Sequence, residues 1–168
     1  MSKFSGGSII GTGLFAGLMM ASMPAQAVAQ RKVIENDLSK CANNAGPAML
    51  VEVSGFERAT GKVRVQAYPA TSSAWLEKGG WINRIEEPVQ ASGGKMRFCV
   101  PLPAAGRYGI AVRHDSNGNG KTDLSQDGGG FSNNPKLSIF NLGRPSVDKV
   151  AVSVGNGVTS VTIKLQYM

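Results

Sequence analysis

The sequence predicts an all-β fold, an antiparallel β-sandwich of about seven strands. Apolar residues recur at every second position through most runs of the chain, the period of a strand with one buried side. Turn chemistry rich in Gly, Asn, Ser and Thr separates those runs at short intervals. No i, i+3, i+4 pattern of useful length follows residue 30, and the chain carries 22 glycines, so helical and α/β folds are disfavoured.

The first element is not part of that fold. Lys3 gives a short positive start, an apolar and small-residue run follows from Ile9 to Met23, and Pro24-Ala25-Gln26-Ala27-Val28-Ala29 closes it. Both Ala25-x-Ala27 and Ala27-x-Ala29 satisfy the small-x-small rule for cleavage. The apolar run falls short of the ~20 residues a spanning helix needs, so residues 1–27 read as an export signal cut after Ala27 or Ala29. No later segment is apolar enough to span a bilayer, and the expected location is periplasmic or secreted. Residues 28–46 read as an irregular lead-in, and residues 47–168 as one sandwich domain of ordinary size.

The strands follow in order. Met49, Val51 and Val53 alternate with Leu50, Glu52 and Ser54; Val63, Val65 and Ala67 alternate with Arg64, Gln66 and Tyr68. Ala59-Thr60-Gly61 joins these two runs. Residues 74–87, with Trp75, Leu76, Trp81, Ile82 and Ile85, fit either a strand or a short helical turn. After Ser92-Gly93-Gly94, Met96, Phe98, Val100 and Leu102 share one face. Tyr108, Ile110 and Val112 share the next, with His114 at its end. Val150, Val152 and Val154 form a sixth face and Val161, Ile163, Leu165 and Tyr167 a seventh, joined by Gly155-Asn156-Gly157.

Cys41 and Cys99 match no Cys-x-x-Cys redox or zinc spacing. In an exported chain an even pair is expected to form a disulfide, the alternative being two buried thiols. Cys99 lies on the outward parity of its strand, so a bridge to Cys41 would pin the lead-in across the outside of a sheet. The formal charge of +7 is spread over isolated Lys and Arg, with only Arg31-Lys32 adjacent, and no basic run is interleaved with aromatics. Nucleic acid is therefore not an expected partner, and an envelope partner or small ligand is.

One stretch carries candidate chemistry. In His114-Asp115-Ser116-Asn117-Gly118-Asn119-Gly120-Lys121-Thr122-Asp123, oxygen-bearing side chains fall at alternate positions, a glycine at the sixth and a carboxylate at the ninth. That spacing opens a calcium-loop pattern, because alternate side chains of a tight loop can converge on one hard cation. The candidate ligands are Asp115, Asn117, Asn119, the Lys121 carbonyl, Asp123 and Asp127. The twelfth position is Gln126 instead of a bidentate Glu, and Asp127 comes one residue late. Any calcium site would thus be weak, with Kd of about 10⁻⁴–10⁻³ M. The alternative is a connection built of Asx turns in which the acids cap backbone N–H groups.

Leu102-Pro103-Ala104-Ala105-Gly106-Arg107-Tyr108, the Asp-rich stretch and Gly130-Phe131-Ser132-Asn133-Asn134-Pro135 occur in that order. Together with the short strands around them, they resemble an exported family of unknown function, domain of unknown function 2141, over roughly Ala48 to Tyr167. The Leu-x-x-x-Gly-x-Tyr piece is also similar to the strand corner of transthyretin-like and carboxypeptidase-regulatory-like sandwiches. The resemblance implies a transthyretin-like or, more broadly, immunoglobulin-like fold and no particular activity. Members often carry a longer stretch with a Pro and a Glu where this chain has only Leu124-Ser125-Gln126-Asp127-Gly128-Gly129.

The functional expectation is a non-catalytic binding or structural module of the cell envelope. His114 is the single histidine, which excludes a multi-histidine metal site, and no Ser-His-Asp set surrounds it. Its parity places it as a partly buried residue hydrogen-bonded to the loop. Two rivals stand beside this reading. Tyr68, Trp75 and Trp81 could stack a glycan or small ligand. A metal-bound water at Asp115, Asp123 and His114 could make a hydrolase.

Overall fold

The computed structural model describes residue 1 and residues 32–91, 93–138 and 143–168. The export signal beyond Met1, its cleavage sites and Ser92 lie outside the described residues. Among the described residues no helix is long and apolar enough to cross a membrane.

All seven runs read from the sequence contribute a strand, and among the described residues two further strands join them. The strands are β1 (Lys32–Val33), β2 (Ala48–Ser54), β3 (Lys62–Pro69), β4 (Asn83–Pro88), β5 (Lys95–Pro101), β6 (Gly106–Asp115), β7 (Gly128–Phe131), β8 (Val152–Val154) and β9 (Val158–Lys164). They form a larger sheet in the order β1-β4-β3-β6-β7, with β8 also paired to β6, and a smaller sheet in the order β5-β2-β9. Residues 32–46, expected to be irregular, carry β1 and a 3-10 helical segment at Leu38–Asn44 that is interrupted by non-helical backbone at Ala42 and Asn43.

The sheets are mixed, which corrects the antiparallel expectation. β2 and β9 run parallel, from Ala48 opposite Val158 to Ser54 opposite Lys164, and β1 runs parallel to β4. Both β2 and β9 start from the same end of the sandwich, where Ala48 N–H donates to the Gly157 carbonyl and Val158 N–H to Asn44 Oδ1. The turns Ala59-Thr60-Gly61 and Gly155-Asn156-Gly157 therefore carry the chain from one sheet to the other instead of closing hairpins within a sheet.

Between the sheets lies the main core. Val63, Val65, Ile85, Ile110 and Val112 of the larger sheet face Met49, Val51, Val53, Phe98, Val100 and Ile163 of the smaller. Each such side chain, fully withdrawn from water, contributes about 1.5–3 kcal/mol. The alternation in the sequence assigns these positions to the inside, as observed, except Ile85, which lies in the stretch that fits either a strand or a helical turn.

The outer face of the larger sheet is not simply wet. Tyr68, Trp75, Ala111, Phe131 and Val150 make a second core, with Leu76, Trp81, Leu137 and Val147 packed against it. Residues 71–75 form a single helical turn ahead of β4, closed by Trp75 N–H to the Thr71 carbonyl. Val150, expected at the start of a strand, ends a short helix, α1 (Val147–Val150), and is buried in this second core.

Cys41 and Cys99 form a disulfide. It ties the 3-10 helix to β5 on the outer side of the smaller sheet, as the parity of Cys99 indicated.

Candidate functional site: the Asp-rich loop

Side chains alternate along β6, so consecutive residues at its end face opposite sides of the larger sheet. His114 points inward and Asp115 outward, and the chain then turns through residues 116–127 before returning as β7. Positive φ at Gly118 and Gly120 (68° and 77°) lets the loop reverse tightly where an L-residue would be strained.

The loop is closed by its own side chains. Asp115 Oδ1 accepts the Asn119 N–H at 3.1 Å and Oδ2 accepts the Gly120 N–H at 2.8 Å. Asn117 Oδ1 accepts the Asn119 N–H at 3.1 Å, and Asn119 Oδ1 accepts the Lys121 N–H at 2.7 Å. The amide nitrogens of Asn117 and Asn119 both donate to Asp123 Oδ2, at 3.1 and 2.7 Å. These two donors hold the Asp123 carboxyl below its ordinary pKa. Four of the six candidate ligands thus gather in one small volume, in the Asx-turn arrangement that was the alternative to an ion site.

The other two do different things. Asp127 accepts the Ser116 and Asp123 N–H groups at 3.2 and 3.0 Å, so its carboxylate latches the ends of the loop. Lys121 contributes only backbone to the hydrogen-bonded group. Among the described residues no three of His, Cys, Asp and Glu gather in a way that could hold a metal ion, so any cation here would depend on Asn and main-chain oxygens.

Several anchors were not foreseen. Arg113 donates to Thr122 Oγ1 at 3.0 Å, to the Gly120 carbonyl at 3.3 Å and to Asp115 at 3.4 Å. Thr60 Oγ1 donates to the Ser116 carbonyl at 3.0 Å, and Arg58 to the Gln126 carbonyl at 3.2 Å. The connection between β2 and β3 therefore holds the base of the loop. Only the tertiary fold brings those residues within reach, so no local signal marks them.

His114 is fully buried, and its partners are not in the Asp-rich loop. Nε2 lies 2.7 Å from the Thr60 carbonyl and Nδ1 2.6 Å from the Tyr167 hydroxyl. A carbonyl can only accept, so Nε2 donates to it, and a neutral ring then accepts the Tyr167 O–H at Nδ1. Tyr167 O in turn accepts the Glu57 N–H at 3.3 Å, and burial raises the pKa of this phenol. Phe56 packs edge-on against the imidazole, 5.5 Å between centroids. A metal-bound water shared by His114, Asp115 and Asp123 is not supported, because the imidazole faces the interior and the carboxylates face out.

The aromatic trio does not form a platform either. Tyr68 and Trp75 are buried, with Trp75 edge-on to Tyr68 and Phe131 and its Nε1–H donating to the Pro145 carbonyl. Trp81 is half-buried and its face is covered by the Arg84 guanidinium, 4.4 Å from the ring centroid.

The Gly130–Pro135 motif is used throughout by the architecture. Ser132 Oγ accepts the Ile110 N–H and donates to the Val150 carbonyl, joining β6 to α1. Asn133 donates to the Lys149 and Ala151 carbonyls at the end of α1. Asn134 donates to the Thr162 carbonyl at 2.8 Å and accepts the Lys164 N–H at 2.7 Å, standing in for a neighbouring strand along β9. Asn36 does the same along β5, bonding the Arg97 carbonyl and the Cys99 N–H. Both outer edges of the smaller sheet are thereby blunted by an asparagine amide.

Comparison with known proteins adds the following. The sequence profile of a family described as an uncharacterized protein conserved in bacteria (DUF2141) matches residues 51–162. No curated protein matches the chain. A solved structure of a protein from Bacteroides ovatus ATCC 8483, described as a putative adhesin, is similar at 14% identity and a TM-score of 0.32. The match covers 80% of this chain and 48% of that one, so this chain spans about half of its length.

Proposed function

The chain belongs to this bacterial family, and on that premise we propose that it is an exported, non-catalytic binding or structural module of the cell envelope. In this reading its sandwich is transthyretin-like and its 115–123 loop takes a calcium ion weakly.

Three features support the parts of this proposal. The Cys41–Cys99 disulfide suits an oxidising, extracytoplasmic compartment, periplasmic or secreted. The enclosure of the single histidine, with both ring nitrogens in hydrogen bonds, argues against a general base. The observation that carries the ion reading is the convergence of Asp115, Asn117, Asn119 and Asp123 around Asp123 Oδ2 and the Gly120 N–H. A half-turn of each Asn amide would replace two N–H donors facing Asp123 by two oxygens, giving a hard cation an oxygen shell. That turn forfeits the Asn117 and Asn119 turn bonds, and the Arg113 guanidinium stands beside Asp115, so affinity is held to the weak extracellular range.

Thermal unfolding with calcium and with chelator tests this. A ligand at about ten times its Kd stabilises by about 1.4 kcal/mol, which raises the melting temperature by a few degrees in a domain of this size. The expected result is such a rise at about 10 mM calcium for a Kd near 1 mM, its absence with magnesium, and its loss in the Asp115→Asn, Asp123→Asn double variant. An unchanged midpoint in calcium refutes the ion site.

A further inference from the structure

The outer face of the smaller sheet is divided in two. Met49, Val51 and Val53 point into the main core, so Ala48, Leu50, Glu52 and Ser54 point out. Glu52 stands between Arg97 and Thr162, and Ser54 between Lys95 and Lys164, which makes one half polar and charged. Leu50 stands between Cys99 and Ser160, and Ala48 between Pro101 and Val158, which makes the other half largely apolar. Residues 35–44 run over this apolar half. Cys41 is bridged to Cys99, its Sγ lies 3.9 Å from the Met49 carbonyl, and Asn44 Oδ1 accepts the Val158 N–H. Ala48 and Cys99 are each 1% exposed. We infer that the Cys41–Cys99 disulfide is a redox latch on this strap: a dithiol that reduces it frees residues 35–44 and bares the apolar half, while the core between the sheets stays folded.

Little else holds the strap down. Its 3-10 segment has no buried residue, and Leu38 is 46% exposed. The hydrogen bonds that side chains of the strap make to the sheet come from two asparagines, Asn36 to the Arg97 carbonyl and the Cys99 N–H, and Asn44 to the Val158 N–H. Asp37 bonds within the strap, to Ser39. Fixing the backbone of a residue costs more entropy than one exposed hydrogen bond returns, so these few bonds do not offset the ordering of the segment once the cross-link is gone. Both flanks are anchored independently, Ile34 against the main core and Ala48 at the start of β2, so the opening is confined between them.

The burial of the two cysteines sets the order of the exchange. Cys41 is partly exposed and Cys99 is buried, so a thiolate of the dithiol attacks Cys41 Sγ, the protein disulfide breaks and Cys99 leaves as a thiolate. The second thiolate of the dithiol then attacks the dithiol's own sulfur in the mixed disulfide, and Cys41 leaves in turn. The dithiol departs as a cyclic disulfide, its two protons and two electrons having passed to Cys41 and Cys99.

The latch is independent of the calcium proposal, and its test is run in chelator so that the two fail separately. Hydrogen exchange read by mass spectrometry is compared for the oxidised full chain and the same chain reduced with dithiothreitol. Reduction is expected to speed exchange about tenfold or more in residues 35–44 and at the Cys99 and Val158 amides, with β3 and β6 still protected. Anilinonaphthalene sulfonate, a dye that brightens on exposed apolar surface, is expected to gain fluorescence on reduction, and Leu50→Asn to remove most of that gain. The Cys41→Ala, Cys99→Ala double variant should show the open pattern without reductant; where it does not fold, the reduced parent decides. Unchanged exchange in the strap, loss of protection throughout both sheets, or a dye signal that reduction leaves flat overturns the inference.

Discussion

The loop at 115–123 and the motif at 130–135 are both rich in Asn and Gly, yet they use their side chains in opposite ways. In the motif, Ser132, Asn133 and Asn134 reach β6, α1 and β9, elements as far as 30 positions away in sequence. In the loop, most bonds made by Asp115, Asn117, Asn119 and Asp123 stay within a few residues of one another. The motif is fixed by what it holds together. The loop holds little beyond itself, so its oxygens are open to other use at small cost to the fold. A polar motif in a β protein is therefore read by where its partners lie, not by its composition.

The largest expected effect falls on the motif. Phe131 seats it in the second core, edge-on to Trp75 at 5.7 Å and 8% exposed. Phe131→Ala removes that anchor and leaves a cavity, with an expected loss of about 3–5 kcal/mol measured by urea unfolding. A loss under about 1 kcal/mol would show that the second core does not hold the motif in place.

How far each region was legible follows from the same contrast. The alternation of Val63, Val65 and Ala67, and of Phe98, Val100 and Leu102, identified the main core, because period-two burial is a local property. The motif's chemistry is legible as well, Phe131 reading as an apolar plug and Asn133 and Asn134 as partners for backbone groups, but which groups they reach is set by the fold and not by sequence distance. β7 was missed for a physical reason. It is Gly-Gly-Gly-Phe, with no alternation to detect, and the glycines are there because other side chains pack onto the backbone. A Cβ at Gly130 would stand 2.6 Å from Ile163 Cγ2, and one at Gly128 would stand 2.5 Å from the Tyr167 ring. The parallel pairing of β2 with β9 was also unreadable, because alternation gives a strand's faces and not its direction. In the loop, the alternation of Asp115, Asn117 and Asn119 is legible because its spacing is local, and the structure shows these side chains in the Asx-turn arrangement, one of the two readings the sequence leaves open.

A smaller effect tests the motif's role at the sheet edge. Asn134→Ala deletes both bonds to β9 and places alanine at φ 47°, where Asn is better tolerated. The expected cost is about 1–2 kcal/mol in thermal or urea unfolding. Unlike most losses of this size, it should come with concentration-dependent association, since the Thr162 carbonyl and Lys164 N–H become available to another chain. Light scattering that stays flat with concentration would show that Asn134 merely packs.

Asn117→Ala makes the matched test in the loop, with the smallest effect. It also deletes two side-chain bonds, to the Asn119 N–H and to Asp123, but both lie at the exposed surface where water replaces them. In chelator the expected loss is under about 0.5 kcal/mol. In millimolar calcium the variant should lose much of the rise in melting temperature expected of the parent, because one oxygen of a weak shell is gone. The same substitution of the same residue type would then cost stability in one region and ion response in the other. If Asn117→Ala instead costs as much in chelator as Asn134→Ala, the loop is as structural as the motif, and the separation between them fails.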